Sequence, residues 1–190
     1  MIGGYAIHGH AIVSADDRIA DSSGRTPDTL RNDADWARFQ AAVDDAVLTV
    51  LGRRGHEAHP NRKGRNRLVL SSTADGIERR DDGWWWNPAD VPFPYALSAA
   101  APEAGIVCVP GGRLVFDLFL SIGFDAFHLA RARRVMIPDG IPVFSGVGQG
   151  RSATKILSER GLVGGPTERL DDTEGVTLTV WKTRATSKAG

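Results

Sequence analysis

The chain has 190 residues, 42% of them hydrophobic and 24% charged, with 23 Lys plus Arg balanced by 23 Asp plus Glu. That length suits one domain with a substantial core, and zero net charge argues against a general nucleic-acid or membrane-surface binder. A single cysteine excludes an intrachain disulfide, no apolar run reaches the roughly 20 residues of a membrane span, and no basic-then-apolar leader opens the chain, so a cytoplasmic protein is expected.

A first strand is expected over residues 10–14, followed by a polar loop over 15–30. A helix over 33–45 carries Trp36, Phe39, Val43 and Ala46 on one stripe. A β-branched strand over 47–51, a surface connection over 55–66, a strand over 68–70 and a polar stretch to Gly83 follow. Trp84, Trp85 and Trp86 predict a short strand with at least one ring in the core. A helix over 95–101, a strand over 106–109, an apolar helix over 113–121 and a strand over 124–130 come next. In that last strand Ala126 and His128 share a face opposite Phe127 and Leu129. Pro138-Asp139-Gly140 marks a turn. Residues 157–163 and 176–182 predict a closing antiparallel hairpin joined by a polar loop, and the tail from Ala185 is expected to fray. Residues 1–184 are expected to form a single domain. Early strand–helix alternation predicts a mostly parallel sheet, and the hairpin an antiparallel edge.

Three strands end in turns suited to phosphate. Residues 47–51 run into Gly52-Arg53-Arg54, residues 67–70 into Ser71-Ser72-Thr73, and residues 106–109 through Pro110 into Gly111-Gly112-Arg113 and a helix. Ligands of open α/β sheets sit outside the carboxyl ends of strands, where N–H groups and helix N-termini meet phosphates. Gly52 permits a close turn, and Arg53 and Arg54 add forked donors. The Ser-Ser-Thr turn offers hydroxyls, and the paired glycines allow close backbone approach. Singly each has a bland explanation; together they point to one extended ligand, a dinucleotide.

Other features carry less. Gly146-Val147-Gly148-Gln149-Gly150-Arg151-Ser152 has glycines, but its spacing fits neither the dinucleotide nor the P-loop pattern and no helix is expected after it. His8 and His10 share a strand face, and His56 and His59 are three apart, but neither pair comes with a cysteine or carboxylate at a recognised ligand spacing, so no metal is expected. The triple Trp reads as packing, and Arg62-Lys63-Gly64-Arg65-Asn66-Arg67 as a solvated loop or a helper for a cofactor phosphate.

The order of 12–20, 35–39, 51–54, 70–72 and 111–113 resembles the dihydrofolate reductase superfamily. Phe124-Asp125-Ala126-Phe127-His128-Leu129 followed by Ile141-Pro142-Val143-Phe144 is similar to the branch containing the riboflavin-biosynthesis reductase domain. The Ser-x-Asp-Gly-x-x-Ala signature of that branch stands here as Ser14-Ala15-Asp16-Asp17-Arg18-Ile19-Ala20, with Asp17 where glycine is usual. The resemblance implies an α/β fold of three layers, α/β/α, with a mostly parallel central sheet, binding extended NADPH. It implies Gly52, Arg53 and Arg54 at the pyrophosphate or adenosine phosphate, and Ser71 and Ser72 at the 2′-phosphate. Gly111, Gly112, Arg113 and Leu114 would lie along the pyrophosphate and nicotinamide ribose, and Ala11, Ile12 and Ile19 beside the nicotinamide.

The family places one carboxylate early in the first helix. Asp35 matches by its four-residue spacing to Phe39, with Asp33 as the alternative register, and Asn32 with Asp35 also reads as a helix cap. Asp16 is a second candidate, for a ribose or ribitol hydroxyl, with a turn role as its alternative. The expectation is an NADPH-dependent reductase acting on a small pterin- or pyrimidine-like molecule, narrowest as a ribosylaminopyrimidine phosphate, in a homodimer. The alternative is a nucleotide-binding module without turnover.

Overall fold

The computed structural model describes residues 2–184, and the tail expected to fray, 185–190, lies outside the described residues. In chain order the elements are β1 (Ala6–Ser14), β2 (Arg18–Ala20), a 3-10 turn (Asp28–Leu30), α1 (Asp33–Asp44), β3 (Leu48–Gly52), α2 (Arg53–Ala58), β4 (Arg67–Leu70), β5 (Ile77–Arg80), β6 (Gly83–Trp86), α3 (Phe93–Ala100), β7 (Ile106–Gly111), α4 (Arg113–Ile122), β8 (Ala126–Ala132), β9 (Ile141–Pro142), α5 (Ala153–Glu159), β10 (Leu162–Asp171) and β11 (Val176–Thr183). One sheet has the order β10-β11-β8-β1-β7-β3-β4-β6-β5, and β2 pairs with β9 apart from it. From β8 to β6 all neighbours are parallel. The hairpin β10–β11 closes one edge antiparallel, as expected, and β5 closes the other.

Alternation along the central strands produces two unlike faces. Ile7 and Val13 of β1, Val50, Leu68, Trp86, Val107, Val109 and Phe127 enter the main core. The helices α3, α4 and α5 cover this face with Phe93, Leu97, Phe116, Phe119, Ile156 and Leu157. In α4, Val115, Phe116, Phe119 and Leu120 are buried on one stripe, the spacing of a helix lying along a sheet. Each such side chain contributes about 1.5–3 kcal/mol on burial. Leu51, Val69 and Trp85 point the other way and form a small cluster with Ala74, beneath α2. The remaining helix, α1, lies over His10 through Phe39. Trp36, expected on its buried stripe, is 55% exposed and touches Phe39.

The structure departs from the sequence reading in four places. Residues 53–58 form α2, which takes in the start of the surface connection expected over 55–66, and residues 77–80 form β5 within the expected polar stretch. Leu157 belongs to α5, capped by Ser152 accepting the Lys155 N–H at 3.2 Å, so a helix does follow the glycine loop. The expected polar loop after 163 is largely β10, whose residues 163–169 are exposed and therefore show no apolar alternation. Its ladder to β11 stabilises it as a strand.

Two glycines set how closely the main core meets the backbone. A Cβ at Gly9 would fall 2.3 Å from Phe127 and 2.9 Å from Phe124, and one at Gly111 would fall 2.2 Å from Phe116. Overpacking of this kind costs about 1–3 kcal/mol. Gly9→Ala is expected to lower stability by that amount in chemical denaturation, and Phe127→Leu in the same chain to recover part of it. Two independent losses that simply add would show that the ring does not set the contact.

Candidate functional site

The three phosphate-suited turns are neighbours in space. The strands β7, β3 and β4 lie side by side and parallel, with Leu51 opposite Gly111 and Gly52 opposite Leu70. Their carboxyl ends therefore deliver Gly111-Gly112, Gly52 and Ser71 in a row along one edge. On the other side of β7, β1 pairs only from Ala6↔Ile106 to Gly9↔Val109, but its pairing with β8 continues to Ser14↔Ala132. A gap between β1 and β7 thus opens beyond Gly9, toward the same edge. Pro110, which has no N–H for a ladder, falls where this pairing stops and where β7 shifts register against β3.

The turns have the chemistry of a cofactor seat. Gly111 and Gly112 have φ of 99° and 78°, and a Cβ on Gly112 would meet nothing within 4 Å, so its outer side is open to a ligand. Gly112 caps α4 without a side-chain hydrogen bond, leaving the first-turn N–H groups for an anion. The Nε of Arg113 is buried without a partner among the described residues, and Leu114 is 74% exposed. Gly52 begins α2, which sets the exposed Arg53 and Arg54 in its first turn. Ser71 is buried, and its hydroxyl meets Thr73 Oγ1 at 2.9 Å and accepts the Thr73 N–H at 3.3 Å. Ser71 therefore shapes its turn, while Ser72 and Thr73 face solvent. These residues fit an extended, phosphate-bearing molecule.

The loop after β1 is fixed by its own polar groups. Buried Ser14 donates to Asp16 at 2.6 Å and accepts the Arg18 N–H at 3.0 Å. Asp16 also accepts the Ile137 N–H at 3.0 Å. Partial burial raises the Asp16 pKa, but these hydrogen bonds and Arg18 outweigh it and hold the carboxyl below its ordinary value. Asp17 keeps the left-handed backbone that glycine would adopt, at φ 63°. Its carboxylate pairs with Arg131 and accepts the Ala153 N–H at 2.9 Å, so the loop is tied to β8 and α5. Ala11 and Ile19 pack toward the main core, whereas Ile12 packs on the opposite side with Leu30, Ala132 and Ile137. The side chains of Ala11 and Ile12 thus flank the strand on different faces.

The first helix begins at the carboxyl edge of the sheet. Asn32 donates to Asp171 at 3.0 Å and Glu174 at 2.7 Å, beside the β10–β11 turn, whereas Asp44 at the far end pairs with Lys63 and Arg65. Asp33 is exposed and Asp35 half-buried, so Asp35 is the inward carboxylate. Its backbone N–H donates to Asn32 at 3.1 Å, so the cap and the inward side chain coexist. Among the described residues no hydrogen bond or ion pair holds its carboxylate, and burial, opposed by Arg38, pushes its pKa to about 6. The carboxyl therefore exchanges its proton closer to neutral pH than an ordinary aspartate does.

Sequence reasoning missed one association on this face. His128 of β8 is opposite His10 of β1 in register and stacks on it, with centroids 4.2 Å apart and planes 8° apart. His8 is 5.6 Å from His128 by the same measure. Burial and the neighbouring histidines push His10 to about 3, and burial, His8 and nearby cations push His128 to about 4. The face assignment of His128 was legible, but no local spacing links it to His8 and His10.

Several other candidates are occupied structurally. His56 meets Asp82 at 2.8 Å and Arg67 at 3.2 Å, and Trp85 donates to Asp82 at 2.9 Å. Trp85 and Trp86 are buried. The basic segment before β4 lies at the amino edge of the sheet, away from the three turns, and Lys63 and Arg65 are paired with Asp44.

No family model matches the chain, and no curated protein does. Solved structures do. A protein ascribed to riboflavin biosynthesis in Shewanella sp. PV-4 aligns with TM-score 0.66 and 18% identity over 95% of this chain and 99% of its own. A dihydrofolate reductase from Enterococcus faecalis, complexed with NADP(H), aligns with TM-score 0.66 and 15% identity over 95% and 97%. A diaminohydroxyphosphoribosylaminopyrimidine deaminase/reductase from Thermotoga maritima gives 0.64 and 14% over 94% of this chain and 56% of that one. The chain has the dihydrofolate reductase-like fold, and its similar structures include two from the riboflavin branch.

Proposed function

We propose that the chain is an NADPH-dependent reductase acting on a C=N or C=O carbon of a small polar acceptor of pterin or pyrimidine type, narrowest as a ribosylaminopyrimidine phosphate. The observation that carries this reading is the row of Gly112, Gly52 and Ser71 along one sheet edge, beside the gap between β1 and β7. The cofactor, when bound, supplies the hydride. Arg53, Arg54, Ser72 and Thr73 hold the adenosine end and its 2′-phosphate, and the α4 N-terminus with Arg113 holds the pyrophosphate. Asp35 holds the proton that the acceptor needs at its reduced centre. Asp16 organises the loop that closes the acceptor side. The same reading carries a small-molecule substrate, a homodimer and a cytoplasmic setting.

Fluorescence titration tests the cofactor assignment. Arg53→Ala, Arg54→Ala and Ser72→Ala are each expected to weaken NADPH by about tenfold, or 1.4 kcal/mol, with little effect on NADH. Ser71→Ala should weaken both cofactors equally, since its hydroxyl shapes the turn. Equal losses across all four variants would remove the 2′-phosphate assignment, and a wild-type chain that binds no NADPH would overturn the reductase reading.

Asp35 gives a test that needs no substrate. Its folded pKa of about 6 lies above the ordinary 3.8, so the native state binds the extra proton and its stability falls as pH rises between those values. Asp35→Asn removes this slope. The variant should match wild type near pH 4 and exceed it at pH 7 by about 1 kcal/mol, or roughly 2–4 °C in Tm, the half-solvated site keeping the gain below full linkage. Parallel melting curves across that range, with no divergence, would show that Asp35 carries no burial penalty.

A further inference from the structure

The sheet face beneath α1 contains three imidazoles where an apolar layer would be ordinary. His8 and His10 come from β1 and His128 from β8, and one ring nitrogen from each lies within 4.8 Å of the other two. The Nε2 atoms of His10 and His128 are buried and, among the described residues, have no hydrogen-bond partner. A buried polar atom without a partner costs about 1–3 kcal/mol, and here two such costs sit side by side. A cation that takes their lone pairs removes both.

We propose that His8, His10 and His128 form a three-histidine site for one late first-row divalent metal ion, with Zn²⁺ as the fitting example. Three imidazoles without a thiolate or carboxylate suit zinc, copper, nickel or cobalt rather than magnesium or calcium. Three protein ligands leave a fourth position for water, the ligand count of open zinc sites. Metal–nitrogen bonds of about 2.0–2.1 Å in a tetrahedron bring ligand nitrogens to roughly 3.3 Å from one another. The three nitrogens now lie within 4.8 Å of one another, and the His10 and His128 rings lie parallel instead of converging. Loading therefore rotates these rings out of their stack, a side-chain movement that leaves the β1–β8 register unchanged.

The surroundings define the site further. Asp125, whose carboxylate accepts the Ile7 N–H at 2.9 Å, acts on His8 electrostatically and supplies nearby negative charge. Lys182 and Arg38 are the neighbouring cations and set a limit on affinity. Phe39 of α1 lies against His10, with centroids 6.2 Å apart, so the ion would sit between helix and sheet, with Asp35 one helical turn before Phe39.

The test uses the full chain, stripped with a chelator and without cofactor, so its outcome is independent of the reductase reading. Calorimetric titration with Zn²⁺ is expected to give one equivalent, and Co²⁺ should give the visible absorption of a tetrahedral nitrogen site. His10→Ala and His128→Ala, checked for folding by circular dichroism, should each weaken binding by at least about a hundredfold. His59→Ala, outside the cluster, should leave it unchanged. Absence of stoichiometric binding by the wild-type chain overturns the proposal even if neither cluster variant folds. Binding that survives both cluster variants, or that disappears with His59→Ala, also overturns it.

Discussion

The packing of Phe116, Phe127 and Phe144 against two glycines determines where the site can exist. These rings pack with centroids 5.3–6.0 Å apart beneath β1 and β7. Phe127 occupies the space a Cβ on Gly9 would need, and Phe116 that of a Cβ on Gly111. The first glycine lies at the last β1–β7 pair, and the second begins the turn into α4. One aromatic cluster therefore seats both strands that frame the gap. Gly111 and Gly112 both take positive φ where the strand must turn at once into a helix, and only Gly111 is crowded as well.

The loop after β1 depends on this frame but is secured differently. Glycine at position 17 would meet the backbone requirement by conformational freedom alone. Asp17 adopts the same region, which aspartate tolerates better than most residues, and adds a charge. That charge is matched by Arg131 and by the first N–H of α5, while its backbone carbonyl accepts the Val143 N–H at 3.0 Å. Val143 and Phe144 are themselves held in the main core. The departure from the family signature thus exchanges a freely turning residue for a bonded junction. It makes the loop after β1 part of the sheet's own framework.

What was legible in the sequence follows the source of stability of each element. The strands 48–52, 67–70 and 106–111 are buried on both faces or nearly so, and their continuous apolar runs marked them. Their turns were legible because glycine and serine occur where those runs stop. The edge strand β10 was legible only at its start, because beyond Val163 its stability comes from the ladder to β11 and no apolar face records that partner. The seven-residue α5 was missed because its cap, Ser152, follows a glycine-rich loop and its apolar content is brief. The choice between Asp33 and Asp35 needed the tilt of α1, which is set by Asn32 reaching the distant β10–β11 turn. Likewise, the third histidine needed the β1–β8 register.

The two faces of the sheet divide the work by polarity. The face beneath α3, α4 and α5 is aliphatic and aromatic, and it stabilises the strand ends that suit a phosphate-bearing ligand. The face beneath α1 is half-buried and polar, with Asp35 and three histidines where further apolar packing would have been more stabilising. A carboxyl held near 6 and imidazoles held at about 3 and about 4 are both consequences of partial burial without full pairing. Such groups cost stability but leave a proton and lone pairs uncommitted. The gap joins these faces because β1 leaves β7 while remaining bound to β8. A molecule entering it meets backbone N–H groups on one side and titratable side chains on the other. That asymmetry separates the anion-suited turns from the titratable groups of the α1 side.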